Sequence, residues 1–198
     1  MQAKESEHTH GPENADHEIR KAYNCAVESA LTYSGIGLRV SEIDPDEVQR
    51  YYIRAFEAHR KKHLLLAERW ARTAKHLARA YWHEAKVAWL EKYEELLPFL
   101  EPATRDEYHV HEFSDTTEDL LNSLSEDSPS GEHSKSLPED MKHYLSRGRK
   151  HLAALTISNG KAHELLRAER IKAAHEYARV VECLGLVHEA ESKIQKSA

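Results

Sequence analysis

Turn-forming residues are scarce in this chain. Seven glycines and six prolines among 198 residues are too few for a sheet fold with its frequent tight turns. Cysteine is scarcer still. Cys25 and Cys183 could form one bridge at most, which excludes a disulfide framework and suits small thiols in a reducing compartment. No apolar run approaches the ~18–20 residues of a membrane-spanning helix, so no membrane partner is expected. The opening residues Met1-Gln2-Ala3-Lys4-Glu5-Ser6-Glu7-His8 are polar and lack the apolar stretch of a secretion signal; a cytoplasmic location is the expectation. Also missing are a phosphate-binding glycine loop, a Cys-x-x-Cys pair and a strand–turn–helix nucleophile motif.

Charged residues make up 31% of the chain, and there are 15 histidines. The charge is unevenly placed. Residues 1–45 carry net −4, 46–100 net +3, 101–137 net −8 and 138–198 net +3. Residues 1–12 have no apolar periodicity and read as a disordered tail. Residues 101–137, rich in Ser, Asp and Glu, read as an acidic flexible linker. A short helix from about Thr117 to Leu124 interrupts it, offering Leu120, Leu121 and Leu124 as a docking edge. The two flanking blocks, 13–100 and 138–198, are helical in pattern and expected to pack on each other as a single composite domain.

In the first block, Ile19, Tyr23, Ala26, Ala30 and Tyr33 share one face of a helix from about Asn14 to Tyr33. Asp44-Pro45-Asp46-Glu47 is a strong helix start: an N-cap carboxylate, proline at the first position and acids at the positive end. From Asp46 to Leu97 there is no glycine or proline, and good helix formers dominate. One stripe holds Trp82, Trp89, Tyr93, Leu96 and Leu100. Another holds Tyr52, Phe56, His59, His63, Leu66, Trp70, Leu77 and Tyr81. A helix covered on more than one side is expected.

The expectation is therefore an all-α, elongated bundle built from one very long helix, about 45–97. At 1.5 Å per residue that helix is ~80 Å long, against ~40 Å across for a compact chain of this size. A break near Arg60-Lys61-Lys62 is the alternative. Pro138-Glu139-Asp140 starts a further helix, with Ser158-Asn159-Gly160 as its closing turn. A last one runs from about Lys161 to Lys196, with a break weighed at Gly185.

Three constellations bear on chemistry. His59 and His63 sit four apart, a spacing that can place two imidazoles on one divalent metal, though Arg60-Lys61-Lys62 lies between them. His109 and His111, beside Glu107 and Glu112, form a better-charged pair. With so many histidines, surface and packed rings are the plainer reading, and no cofactor is expected. Next, Arg54/His59 and Arg170/His175 have a spacing similar to that of the helical HEPN ribonucleases. Such a resemblance implies the pair acts on an RNA backbone, but the polar residue usual after that arginine is replaced by Ala55 and Ile171. Third, Arg50, Arg54, Lys61, Arg72, Arg79 and Lys86 fall within a basic, aromatic-rich stretch that could line phosphates.

The function expected from the sequence is a non-catalytic helical module for protein–protein interaction or assembly. It would pair with itself as a homodimer, coiled-coil fashion, or with another protein. The alternative is a nucleic-acid-binding protein or HEPN-like ribonuclease with a weak anionic or RNA partner. A histidine-rich metal binder is third.

Overall fold

The computed structural model describes residues 12–36, 44–99, 116–124, 137–157 and 164–197. These residues form helices α1 (Pro12–Ile36), α2 (Pro45–Arg60), α3 (Leu64–Lys92), α4 (116–123), α5 (Glu139–Ile157) and α6 (Glu164–Ser197). A 3-10 turn, Glu94–Phe99, follows α3. Among the described residues there is no strand, and no helix is long and apolar enough to cross a membrane. The all-α expectation holds.

The expected continuous helix over about 45–97 is corrected. It stops at Arg60 and restarts at Leu64, so the ~80 Å rod is replaced by two helices, and the longest helix, α6, reaches ~51 Å. Lys62 takes the left-handed conformation, φ 61°. Its N–H donates to His59 O at 2.9 Å, and the His63 N–H donates to Ala58 O at 3.0 Å. This is the Schellman pattern that usually closes on glycine. Here a lysine fills the position, at a cost of about 1–2 kcal/mol. That cost is offset because α2 folds back along α3. Tyr51 stacks on Trp70 at 5.4 Å, the Arg54 guanidinium lies 4.8 Å from the same indole, and the Tyr81 hydroxyl donates to Glu47.

Helix α2 begins as its residues dictate. Asp44 Oδ1 accepts from the Asp46 N–H at 3.0 Å, with Pro45 at the first helical position. Helix α3 is central: sixteen of its 29 residues are buried, on every side. Ala67, Ala71, Ala74 and Ala78 recur at helical spacing and are fully buried, leaving a thin seam where neighbouring backbones approach closely. Helices α1, α2 and α6 all pack on α3, and α5 packs on α6. His76 meets Glu176 while His83 meets Glu169, so α3 and α6 run antiparallel.

The stripe of Trp82 and Trp89 lies at the margin of this core. Both rings are half-buried, Lys86 Nζ sits 3.8 Å above Trp82, and Leu96 is exposed. Gly185 does not break α6; a Cβ there would meet only Met141 Cε, at 3.5 Å. The expected short docking helix is present as α4. Leu121 is fully buried, Leu120 and Leu124 pack partly against the core, and Leu121 Cδ2 occupies the space where Gly148 has no side chain, 3.1 Å from the position of a Cβ. The expected tail, most of the acidic linker and the Ser158-Asn159-Gly160 turn lie outside the described residues.

Candidate functional site

The structure does not bring the six stripe cations to one surface. Arg50, Arg54 and Lys61 belong to α2; Arg72, Arg79 and Lys86 belong to α3, beyond the break. Four of them meet carboxylates. Arg50 lies 3.2 Å from Asp44 and 3.6 Å from Glu47. Arg72 lies 2.7 Å from Glu68 and 3.9 Å from Glu18. Arg79 is 3.7 Å from Glu176 and Lys86 3.3 Å from Glu169. These acids cancel the field that would draw phosphates. Arg54 and Lys61 have no carboxylate at ion-pair distance among the described residues.

The Arg/His pairs are also separated. Arg54 lies over Trp70 and Tyr51, while His59 turns to α1, with Nε2 3.1 Å from Asp16 Oδ1. Arg170 pairs with Glu91 on α3. His175 instead faces α4, with Nδ1 3.4 Å from Thr117 Oγ1, and burial holds its imidazole below the usual value. His63 stands before the first residue of α3, exposed and apart from the His59–Asp16 contact. His109 and His111 lie outside the described residues. Among the described residues no three His, Cys, Asp or Glu side chains gather as metal ligands. Burial pushes the Cys183 thiol up to about 11, which keeps it protonated and unreactive near neutral pH.

A polar cluster that the sequence reading did not find sits where α2, α3, α5 and α6 converge. Glu84 accepts from Arg147 at 2.5 Å, and His151 Nε2 is 2.9 Å from its other oxygen. The Arg147 guanidinium lies 5.3 Å from the Tyr81 ring and 5.0 Å from the Tyr177 ring. Tyr144 and His151 both stack on Tyr177. The Tyr51 and Tyr144 hydroxyls are 3.3 Å apart. Burial pushes the phenols of Tyr81, Tyr144 and Tyr177 far above their usual value. Burial works against the Arg147 charge, but Tyr177, Glu84 and Tyr81 outweigh it and hold the guanidinium more firmly protonated. Glu84, Arg147 and His151 are all buried. Glu84 meets Arg147 and His151, and Tyr51 meets Tyr144, so with the stacking on Tyr177 the cluster fastens four helices together.

Two features face outward. On the α1–α2 surface Tyr23, Val27, Ile53 and Phe56 are exposed, and Tyr52 connects them, its ring 6.2 Å from Tyr23 and 6.3 Å from Phe56. On another side a cleft of about 450 Å³ opens between the α2–α3 turn, the start of α5 and the last part of α6. Its lining includes Arg54, Glu57, Lys61, His63, Trp70 and Glu191, together with Asp140 and His188, which stand 3.4 Å apart. Comparisons of the chain with protein-family models, with curated proteins and with solved structures give no match, so the functional reading rests on this geometry.

Proposed function

We propose that the chain is a non-catalytic helical interaction module whose α1–α2 face pairs with a second copy of itself. The observation that carries this reading is the contiguous aromatic face. Tyr23 is 56% exposed, Phe56 51%, Ile53 46% and Val27 39%. A patch of about 300–600 Å² is already the largest on an ordinary monomer and is often functional. Each helix edge offers one aromatic and one branched aliphatic residue. A two-fold axis that lays α1 on the partner's α2 sets aromatic against aliphatic twice, as an isologous contact requires.

The rim supports the same occupant. Asp16 and Arg20, seven and three positions before Tyr23, flank the patch on α1, and Arg60, four positions after Phe56, flanks it on α2. A mixed rim of both signs can complement a copy of itself. The apolar patch alone falls short of the ~800 Å² per partner of a stable complex, so the rim must join the contact. The dimer does not rest on α3, part of which α2 covers. It rests on the patch. The nucleic-acid alternative has less support, because most of its proposed cations are paired with acids.

The test is the mass in solution. Light scattering at tens of micromolar should give two chain masses for the parent protein and one for Phe56→Glu. Helicity should be unchanged, because the Phe56 ring already faces solvent in the single chain. A parent protein of one chain mass under those conditions would overturn the reading.

A further inference from the structure

We propose that the cleft between the α2–α3 turn and the α5/α6 pair binds a small zwitterion of the amino-acid class. The cleft holds about 450 Å³, within the ~300–1,000 Å³ of small-molecule sites. Its charges make the argument. The α3 cations Arg72, Arg79 and Lys86 and the buried Arg147 face carboxylates. Here Arg54 and Lys61 have no carboxylate at ion-pair distance, and Glu57 and Glu191 have no cation at that distance, among the described residues. Unpaired charges of both signs thus line one concavity.

The two signs come mainly from different elements. Arg54 and Lys61 extend from α2, with His63 just beyond the turn. Asp140 comes from the start of α5 and Glu191 from α6, while Glu57 lies on α2. The Arg54 guanidinium is held over Trp70 and Tyr51. Such stacking orients a guanidinium and leaves its N–H edge to meet a carboxylate in bidentate fashion. Glu191 is then available for an ammonium group, with Asp140 beside it and already in contact with His188. Ala58, Leu66 and Trp70 supply the apolar part of the lining for a side chain. A simple anion entering this cleft would meet three carboxylates, and a simple cation would meet two fixed cations. A dipolar molecule satisfies both walls. The Schellman turn at Lys62 is what swings Lys61 and His63 to the rim, so the break in the expected long helix also builds this cleft.

This site is separate from the self-association face: Ile53 and Phe56 lie on a different side of α2 from Arg54 and Lys61. The test titrates glycine, leucine, phenylalanine, lysine and glutamate singly into labelled full-length protein and follows amide and indole shifts by NMR. At least one should give saturable shifts at Trp70, Lys61 and Glu191. Its N-acetyl and its amide derivatives, which each lack one charge, should bind about ten-fold or more weakly. Arg54→Gln and Glu191→Gln should each weaken binding to a similar degree. Glu191→Gln also guards against a packing effect, because it removes a charge and keeps the side chain's size. No saturable shift with any of the five would overturn the proposal. So would equal binding of the charge-blocked derivatives, or unchanged binding in both folded variants.

Discussion

His76 Nδ1 and Glu176 Oε2 lie 2.6 Å apart across the α3–α6 seam, although one hundred positions separate them in the chain. The same kind of contact recurs once more on this seam, His83 with Glu169, and at other helix pairs: His151 with Glu84, His59 with Asp16 and His188 with Asp140. Burial works against the carboxylates of Glu176 and Glu169, but His76, Arg79 and His175 around the first, and His83, Lys86 and Lys172 around the second, hold both below the usual 4.5. Lys75, Arg72 and Lys21 do the same for Glu18 against its burial. A carboxyl group held low stabilises the fold above its ordinary value, and that contribution disappears as pH falls through the lowered one. His175, which burial holds below 6.5, acts in the same direction, since the fold favours its neutral ring. Stability should therefore decline on acidification, gently below 6.5 and steeply below 4.5. Thermal melts from about pH 3 to about pH 8 check this; a melting temperature that climbs on acidification across that range would contradict it.

Trp82 and Leu77 should separate margin from core. Leu77→Ala removes a fully buried side chain of α3 and should cost about 2–5 kcal/mol. Trp82→Ala removes a half-buried ring capped by Lys86 and should cost about 1–2 kcal/mol, below the usual loss for a core aromatic. Urea midpoints of the two variants measure the difference, and a larger loss for Trp82 would place the core elsewhere.

Lys62→Gly should stabilise the protein. The residue sits at φ 61°, where a Cβ is strained and glycine is not. The gain should be about 0.5–1 kcal/mol, a rise of about 1–4 °C in Tm for a chain of this length. A Tm lowered by the change would mean that the lysine side chain contributes more than its backbone strain costs.

Glu84→Ala should be the most damaging polar substitution. It leaves the Arg147 charge buried between tyrosine rings without its carboxylate, at a cost of about 3–5 kcal/mol. Pairing Glu84→Leu with Arg147→Met should recover most of that loss, because both desolvated charges go together. Denaturant titration of the single and double variants reads this directly.

These contacts show what local sequence can and cannot reveal. The Asp44-Pro45 start and the apolar edge of α4 were legible because cap and spacing lie within a few residues. The stop at Lys61–His63 was legible only as the alternative to a continuous helix, since it uses a lysine where glycine would have announced it. Gly185 misled in the opposite way: a neighbour, Met141, fills the space beside it, and the helix continues. The basic stripe looked open because Glu18, Glu169 and Glu176 lie on other helices. The Glu84–Arg147–His151 cluster was hidden for the same reason, because periodicity marks which face of a helix is inward and not which side chain it will meet. The exposure of Tyr23 and Phe56 is not legible in their spacing, since periodicity alone cannot tell a face covered within the chain from one left open.

Gly148 gives α4 a single station on the bundle. Neighbouring turns of α5 carry the bulk of Leu145 and His151, and only at Gly148 can Leu121 descend until it nearly touches the backbone, with Ala174 O and Tyr177 Cβ 3.4 Å from the same point. A helix of eight residues has too little area to hold its place by general stickiness. Its position is instead indexed, as a pawl is by one tooth. One methyl group at that notch would make Leu121 give way by a few tenths of an ångström, so the seating of α4 would register the change while the α3–α6 seam beneath it kept its bridges.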